Sequence, residues 1–160
     1  MTRGQDAVTA ISVERLPGAP HDVLNALIVD SERDGVQFVR RLVDEWTTGA
    51  NRFDRPREVL FVACGAGQVL GVGGLNVDPY AKSSDAERVG RVRHLYVLAS
   101  HRRRGIASRL LSEVVGHARG RFDRLHLGTR DARAAALYER FGFRRQHGDP
   151  HCTHVLDLQA

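Results

Sequence analysis

"VLASHRRRGIASRLL", residues 97–111, decides how this chain is read. An apolar run ends at Leu98, three arginines follow at 102–104, and Gly105 opens a stretch with helical spacing of its apolar residues. Ile106, Leu110 and Val114 recur every four residues, as do Ala107, Leu111 and Val115, so 105–118 is an amphipathic helix. A strand, a basic loop and a glycine at a helix start are what an anion cradle needs. The first helical turn carries free N–H groups and the positive end of the macrodipole. A glycine lets a ligand approach the backbone, and arginines add bidentate contacts. The glycine and lysine spacing of a P-loop or a dinucleotide fold is absent. A solvated basic turn that only caps a helix is the alternative.

Outward from this stretch the chain reads as mixed α and β. Strands are expected at 7–16, 58–64, 69–77, 88–98, 124–129, 142–146 and 151–158, and helices at 21–35, 36–46, 105–118 and 132–141. The order is β-α-α-β-β-β-α-β-α-β-β. The expected fold class is α+β (mixed α/β), a mostly antiparallel twisted sheet of about seven strands with about four helices on both faces. The strand–helix–strand unit at 88–129 calls for a right-handed parallel crossover.

With 160 residues, 42% hydrophobic and 27% charged, the chain fits one globular domain, residues 1–160. No apolar run is long enough for a membrane span, and "MTRGQDAVTA" has no signal-peptide core. Cys64 and Cys152 make neither a disulfide framework nor a zinc site, which favours a reducing cytoplasm. His147, His151, Cys152 and His154 match no zinc spacing, so no metal is expected. Cys64, within an apolar strand, reads as core. Charge is segregated: residues 88–145 hold 15 arginines against four acids, whereas residues 1–87 hold 13 acids against nine bases. That split points to a polyanionic ligand on the second half.

"RRRGIA" at 102–107 resembles the Arg/Gln-x-x-Gly-x-Gly/Ala signature of the GNAT N-acetyltransferase superfamily, whose loop amides hold the pyrophosphate of acetyl-coenzyme A. "HLYVLASHRRRGIASRLLSEV" (94–114) resembles that family's fourth strand, loop and third helix. "DARAAALYERFGF" (131–143) resembles its second signature, Asn-x-x-Ala-x-x-Leu-Tyr-x-x-x-Gly-Phe. The match covers about residues 88–145.

The resemblance implies acetyl transfer from acetyl-coenzyme A, as co-substrate, to a primary amine of a small molecule or a protein, by direct attack through a tetrahedral intermediate. It implies that the backbone of Leu95, Tyr96 and Val97 pairs with the pantetheine arm, where strand 88–98 parts from 124–129 near Tyr96 and leaves a V-shaped slot. Arg102, Arg103, Arg104, Gly105, Ile106, Ala107 and Ser108 would hold the pyrophosphate. Asp131, where the family usually has Asn, and Ala134 would border the arm. Tyr138 would lie near the thioester sulfur and assist thiolate departure, its ring packed with Leu137 and Phe141. Many relatives carry a glutamate base eleven residues before the cradle, but here that position is Arg91, which cannot accept a proton. Glu87, His94, His126 and more distantly His154 are alternatives, as is a water relay.

The acids Asp30, Glu32, Asp34, Asp44 and Glu45 could draw in a cationic amine or simply form a solvated helix surface. A catalytically silent acyl-coenzyme A binder and a nucleic-acid-binding module are the rival functions. The latter lacks aromatic interleaving, so no nucleic-acid or membrane partner is expected. Homodimers are common among members of the family, and the resemblance admits one here.

Overall fold

The computed structural model describes residues 10–158 except Pro17, Ala19, Ser83 and Asp85. Its elements are β1 (Ser12–Arg15), α1 (Asn25–Arg33), α2 (Phe38–Thr48), β2 (Val59–Gly65), β3 (Gln68–Val77), β4 (Val89–Val97), α3 (Ile106–Ala118), β5 (Arg124–Leu127), α4 (Ala132–Arg140), β6 (Arg144–Arg145) and β7 (His154–Asp157). The strands form a seven-stranded, mostly antiparallel sheet in the order β1-β2-β3-β4-β5-β7-β6, with β4 and β5 parallel. The α+β architecture and the element order are those expected.

Several boundaries differ. The expected start of the first strand, residues 7–9, lies outside the described residues, and β1 begins at Ser12. Helix 21–35 is shortened to Asn25–Arg33, because 21–24 form turns and Gly35 takes φ +75°. The strand expected at 142–146 keeps only two residues. Arg144 and Arg145 lie exposed and ion-paired to Asp157 and Glu139, with no apolar side chain to bury.

The chain groups into two compact units. The first holds residues up to Arg52 with Leu60–Gly73 and His94–Glu113. The second holds Phe53–Val59, Gly74–Arg93 and residues from Val114 onward. In the first, β2 is apolar on both faces, and Ala66 and Gly67 make the tight turn into β3 with φ +53° and +74°. Ile106, Leu110 and Leu111 of α3 are at most 1% exposed, and full burial of such a side chain contributes about 1.5–3 kcal/mol.

In the second unit β4 and β5 lie so close that a side chain does not fit at Gly90. A Cβ there would stand 2.8 Å from Leu125 Cδ2 and 3.0 Å from Phe122 Cδ2. Both neighbours are core residues that yield little. Gly90→Ala is therefore expected to destabilise by about 1–2 kcal/mol and lower Tm by about 2–8 °C, readable by thermal melting.

The β4–β5 ladder is short. Val89, Gly90 and Arg91 pair with Arg124, Leu125 and His126, and pairing stops there, although β4 continues to Val97. The strands thus separate at Arg91, not near Tyr96 as the sequence suggested. Beyond the last pair, His94 within β4 takes φ +63°, and Leu127 at the end of β5 accepts the Thr153 N–H.

Candidate active site

The basic loop belongs to the first unit. After Leu98 a single 3-10 turn, Ala99–His101, leads to Arg102. Arg103 and Gly105 take φ +65° and +80°, and α3 starts at Ile106. Its first helical bond runs from Arg109 N–H to Gly105 O, so the N–H groups of Ile106, Ala107 and Ser108 have no helical acceptor. A Cβ on Gly105 would meet nothing within 4 Å, so the loop is open at the glycine that directly precedes these amides. Ile106 offers only its backbone, since its side chain is core. Ala107 and Ser108 are half-buried, and Arg103 and Arg104 are exposed.

Arg102 behaves differently from its neighbours. It turns back into the protein: Nη2 donates to Asp34 Oδ2 at 2.8 Å, Nε donates to Val97 O at 3.1 Å, and the guanidinium lies 5.2 Å from the Tyr96 ring centroid. It is a brace for the loop rather than a free phosphate ligand. Tyr96 is likewise buried, with its hydroxyl donating to Asp30 Oδ2 at 2.8 Å. Burial, and then the hydrogen bond and charge of Asp30, push its phenol above the usual tyrosine range. Asp30 also accepts the Ala99 N–H at 2.9 Å.

Asp30 and Asp34 of the α1 segment are thus the anchors of the loop, a role the sequence reading missed. Glu32 is spent on Arg40. These three acids are engaged within the protein, which removes them as a lure for a cationic acceptor. Leu95 is half-buried and Val97 buried, so their backbones are what they could offer a ligand.

In the second unit Tyr138 sits in α4, 7% exposed. Its ring lies edge-on to Phe143 at 5.6 Å and tilted to His154 at 6.4 Å; these are its ring neighbours, and Phe141 is not among them. Burial first, and then the charge of Asp131, raise its phenol above the usual range, so the hydroxyl keeps its proton at neutral pH. Asp131 is the N-cap of α4: its Oδ1 accepts the Arg133 N–H at 2.9 Å. Its carboxylate is therefore committed to the helix, as an aspartate directly before an alanine-rich helical run could have signalled. Ala134 is half-buried one turn before Tyr138.

Three of the proton acceptors considered are otherwise engaged. Glu87 is exposed and pinned between Arg55 and Arg57. His94 is buried in the first unit beside Phe38, with ring centroids 6.1 Å apart. His154 has both ring nitrogens occupied, Nε2 at 2.9 Å from Glu139 and Nδ1 at 2.9 Å from Thr153 Oγ1.

His126 differs. Its Nδ1 lies 2.9 Å from Asp78 Oδ2, and the Asp78 side chain is 1% exposed. Burial alone would raise the Asp78 carboxyl, but the hydrogen bonds from His126 and the Tyr80 N–H, with the charge of Arg91, outweigh it and hold the group below its ordinary range. Asp78 is thus ionised, so the His126 Nδ1–H donates to it, and Nε2 is the ring nitrogen outside that bond. His126 and Asp78 line a cleft of about 470 Å³ within the second unit, with Tyr80, Arg91 and His151.

Neither cysteine is an activated nucleophile. Cys64 is half-buried rather than core, and burial followed by the charge of Glu14 raises its thiol. Cys152 is buried and donates to His154 O. Among the described residues no group of three or more His, Cys, Asp or Glu side chains converges as a metal site, and no helix is long and apolar enough to cross a membrane.

Residues 20–143 match the model of the acetyltransferase (GNAT) family, and the chain belongs to that family. A candidate acetyltransferase from Exiguobacterium sp. 255-15 is 30% identical, with a TM-score of 0.81 over 92% of this chain and 93% of that one. A GNAT-family acetyltransferase of Staphylococcus aureus Mu50 shares the fold at 16% identity, with a TM-score of 0.73 over 94% of this chain and all of its own. So does a GNAT-family acetyltransferase of Brucella melitensis in complex with acetyl-CoA, at 18% identity, with a TM-score of 0.69 over 95% and 90% of the two chains. No curated protein matches the sequence.

Proposed function

We propose that this chain is an N-acetyltransferase that moves the acetyl group of acetyl-coenzyme A to a primary amine. The observation that carries the reading is the cradle: three helix-start amides behind a glycine at φ +80° with open space in front of it. Such a group of amides favours a pyrophosphate, and the positive end of the α3 dipole adds to it. The Brucella relative binds acetyl-CoA, in keeping with this assignment. Arg103 and Arg104, exposed beside the cradle, supply positive charge to the phosphates. Arg102 serves the same site indirectly, by holding the loop against Asp34 and Val97.

The pantetheine arm runs along the backbone of Leu95–Val97, which continues beyond the end of the β4–β5 ladder. The amine attacks the thioester carbon, the tetrahedral intermediate collapses, and the sulfur leaves with the proton of Tyr138. A buried, protonated phenol suits that role. Residues 1–160 act as one acetyltransferase domain, with a small-molecule amine as the first choice of acceptor and a protein amine as the second. Amine-dependent release of the coenzyme A thiol tests the reading.

A further inference from the structure

We propose that the cleft beside β5 selects an acceptor carrying an anionic group a few bonds from its amine, the anion paired by Arg91 and the amine delivered to His126. This rests on the acetyl-transfer reading and adds the acceptor class and the base.

The Arg91 side chain is only 12% exposed, yet its buried Nη1 has no hydrogen-bond partner among the described residues. The nearest carboxylate oxygen, Asp78 Oδ1, stands 3.8 Å away, too far for a hydrogen bond. A buried guanidinium nitrogen without an acceptor is costly, and an incoming anion removes the cost. The protein makes room for this group: a Cβ on Gly128 would come within 3.2 Å of Arg91 Nη2. The guanidinium also lies 4.8 Å from the Tyr80 ring centroid, and Tyr80 is stacked on His151 at 3.9 Å, which fixes its plane.

The charges lining the cleft agree. Lys82, Arg91 and Arg124 line it with two carboxylates; Arg124 is paired to Asp157 at 3.7 Å, Arg91 has Asp78 at 3.8 Å, and both lining carboxylates are engaged. Asp78 accepts from His126 and the Tyr80 N–H, and Asp149 accepts the His151 N–H at 2.8 Å. A plain cationic amine would find no free carboxylate among these, and an anion would find the Arg91 Nη1 without a hydrogen-bond acceptor.

The spacing sets the acceptor's size. Arg91 and His126 are direct partners in the parallel β4–β5 ladder, about 4.8 Å apart along the sheet, and both reach Asp78. Anion and amine must therefore be close together, as in an amino acid or an aminoalkyl phosphate.

In the reaction the ammonium gives one proton to His126 Nε2, and the freed nitrogen forms the N–C bond. The second nitrogen proton balances the one that Tyr138 places on sulfur as the C–S bond breaks. The products are the amide, the free coenzyme A thiol and one proton passed from His126 to water.

The test uses the full chain with acetyl-coenzyme A and matched acceptors: L-histidine against histamine, L-tyrosine against tyramine, and O-phosphoethanolamine against ethanolamine. For at least one pair the anion-bearing member should be favoured at least about tenfold in kcat/KM, and the favoured pair distinguishes carboxylate from phosphate. Arg91→Met should bring that ratio to near unity through KM, and Arg91→Lys should recover part of it. His126→Gln should instead lower kcat about 10- to 1,000-fold while the ratio persists. Plain amines turned over as well as their anionic partners, or a ratio untouched in Arg91→Met, would overturn the inference and leave acetyl transfer standing. Failure of the wild-type chain to bind acetyl-coenzyme A in calorimetry would overturn both.

Discussion

Gly105→Glu is expected to weaken acetyl-coenzyme A binding at least about a hundredfold while the protein stays folded. At φ +80° a non-glycine residue is strained, at a cost of about 1–2 kcal/mol, which a domain of this size can absorb. The Cβ itself meets no atom within 4 Å, so the fold has no clash to relieve. What changes is the space in front of the Ile106, Ala107 and Ser108 amides, where a carboxylate would now repel the pyrophosphate and compete for the same donors. Calorimetric titration of the variant, with a thermal melt beside it, reads the effect. Unchanged affinity would mean that the cofactor does not lie on this loop.

Tyr138→Phe is the second large effect, and it falls on a different quantity. The substitution removes one oxygen and keeps the ring against Phe143 and His154. If the phenol protonates the departing sulfur, kcat drops about 10- to 1,000-fold with little change in KM for acetyl-coenzyme A. Coenzyme A is itself a tolerable leaving group, so some turnover should remain. Steady-state kinetics with a saturating acceptor measures the split. Unchanged kcat under conditions where chemistry is rate-limiting would reduce Tyr138 to a packing residue.

What could be read in the sequence follows a physical divide. α3 was legible because Ile106, Leu110 and Val114 announce a buried stripe within a few residues of each other. The loop and helix start at 102–106 were legible because glycine, arginines and an apolar helical run are adjacent. The supports of the site were not, because they come from side chains far apart in the chain. Asp34 braces Arg102 across 68 positions, and Asp78 orients His126 across 48. No local spacing encodes either pair.

The same gap explains the misreading of the acids at 30–34. As a run they look like an electrostatic surface, but folded they are consumed by Tyr96, Ala99, Arg102 and Arg40. The early end of the β4–β5 ladder was equally hidden, as was the left-handed backbone of His94, since nothing in "RVRHLYVL" marks either. Arg91 is the instructive case. The sequence shows only an arginine where relatives often carry a glutamate, whereas the structure sets it directly across from His126 in the β4–β5 ladder and leaves its Nη1 without a hydrogen-bond partner among the described residues.

Acetyl transfer from acetyl-coenzyme A to an amine is read by thiol release together with mass-spectrometric detection of the acetylated acceptor. Thiol should appear in proportion to the amine supplied, each thiol matched by one acetyl group on that amine. Acetyl-coenzyme A bound but released no faster with any amine than in water would contradict it.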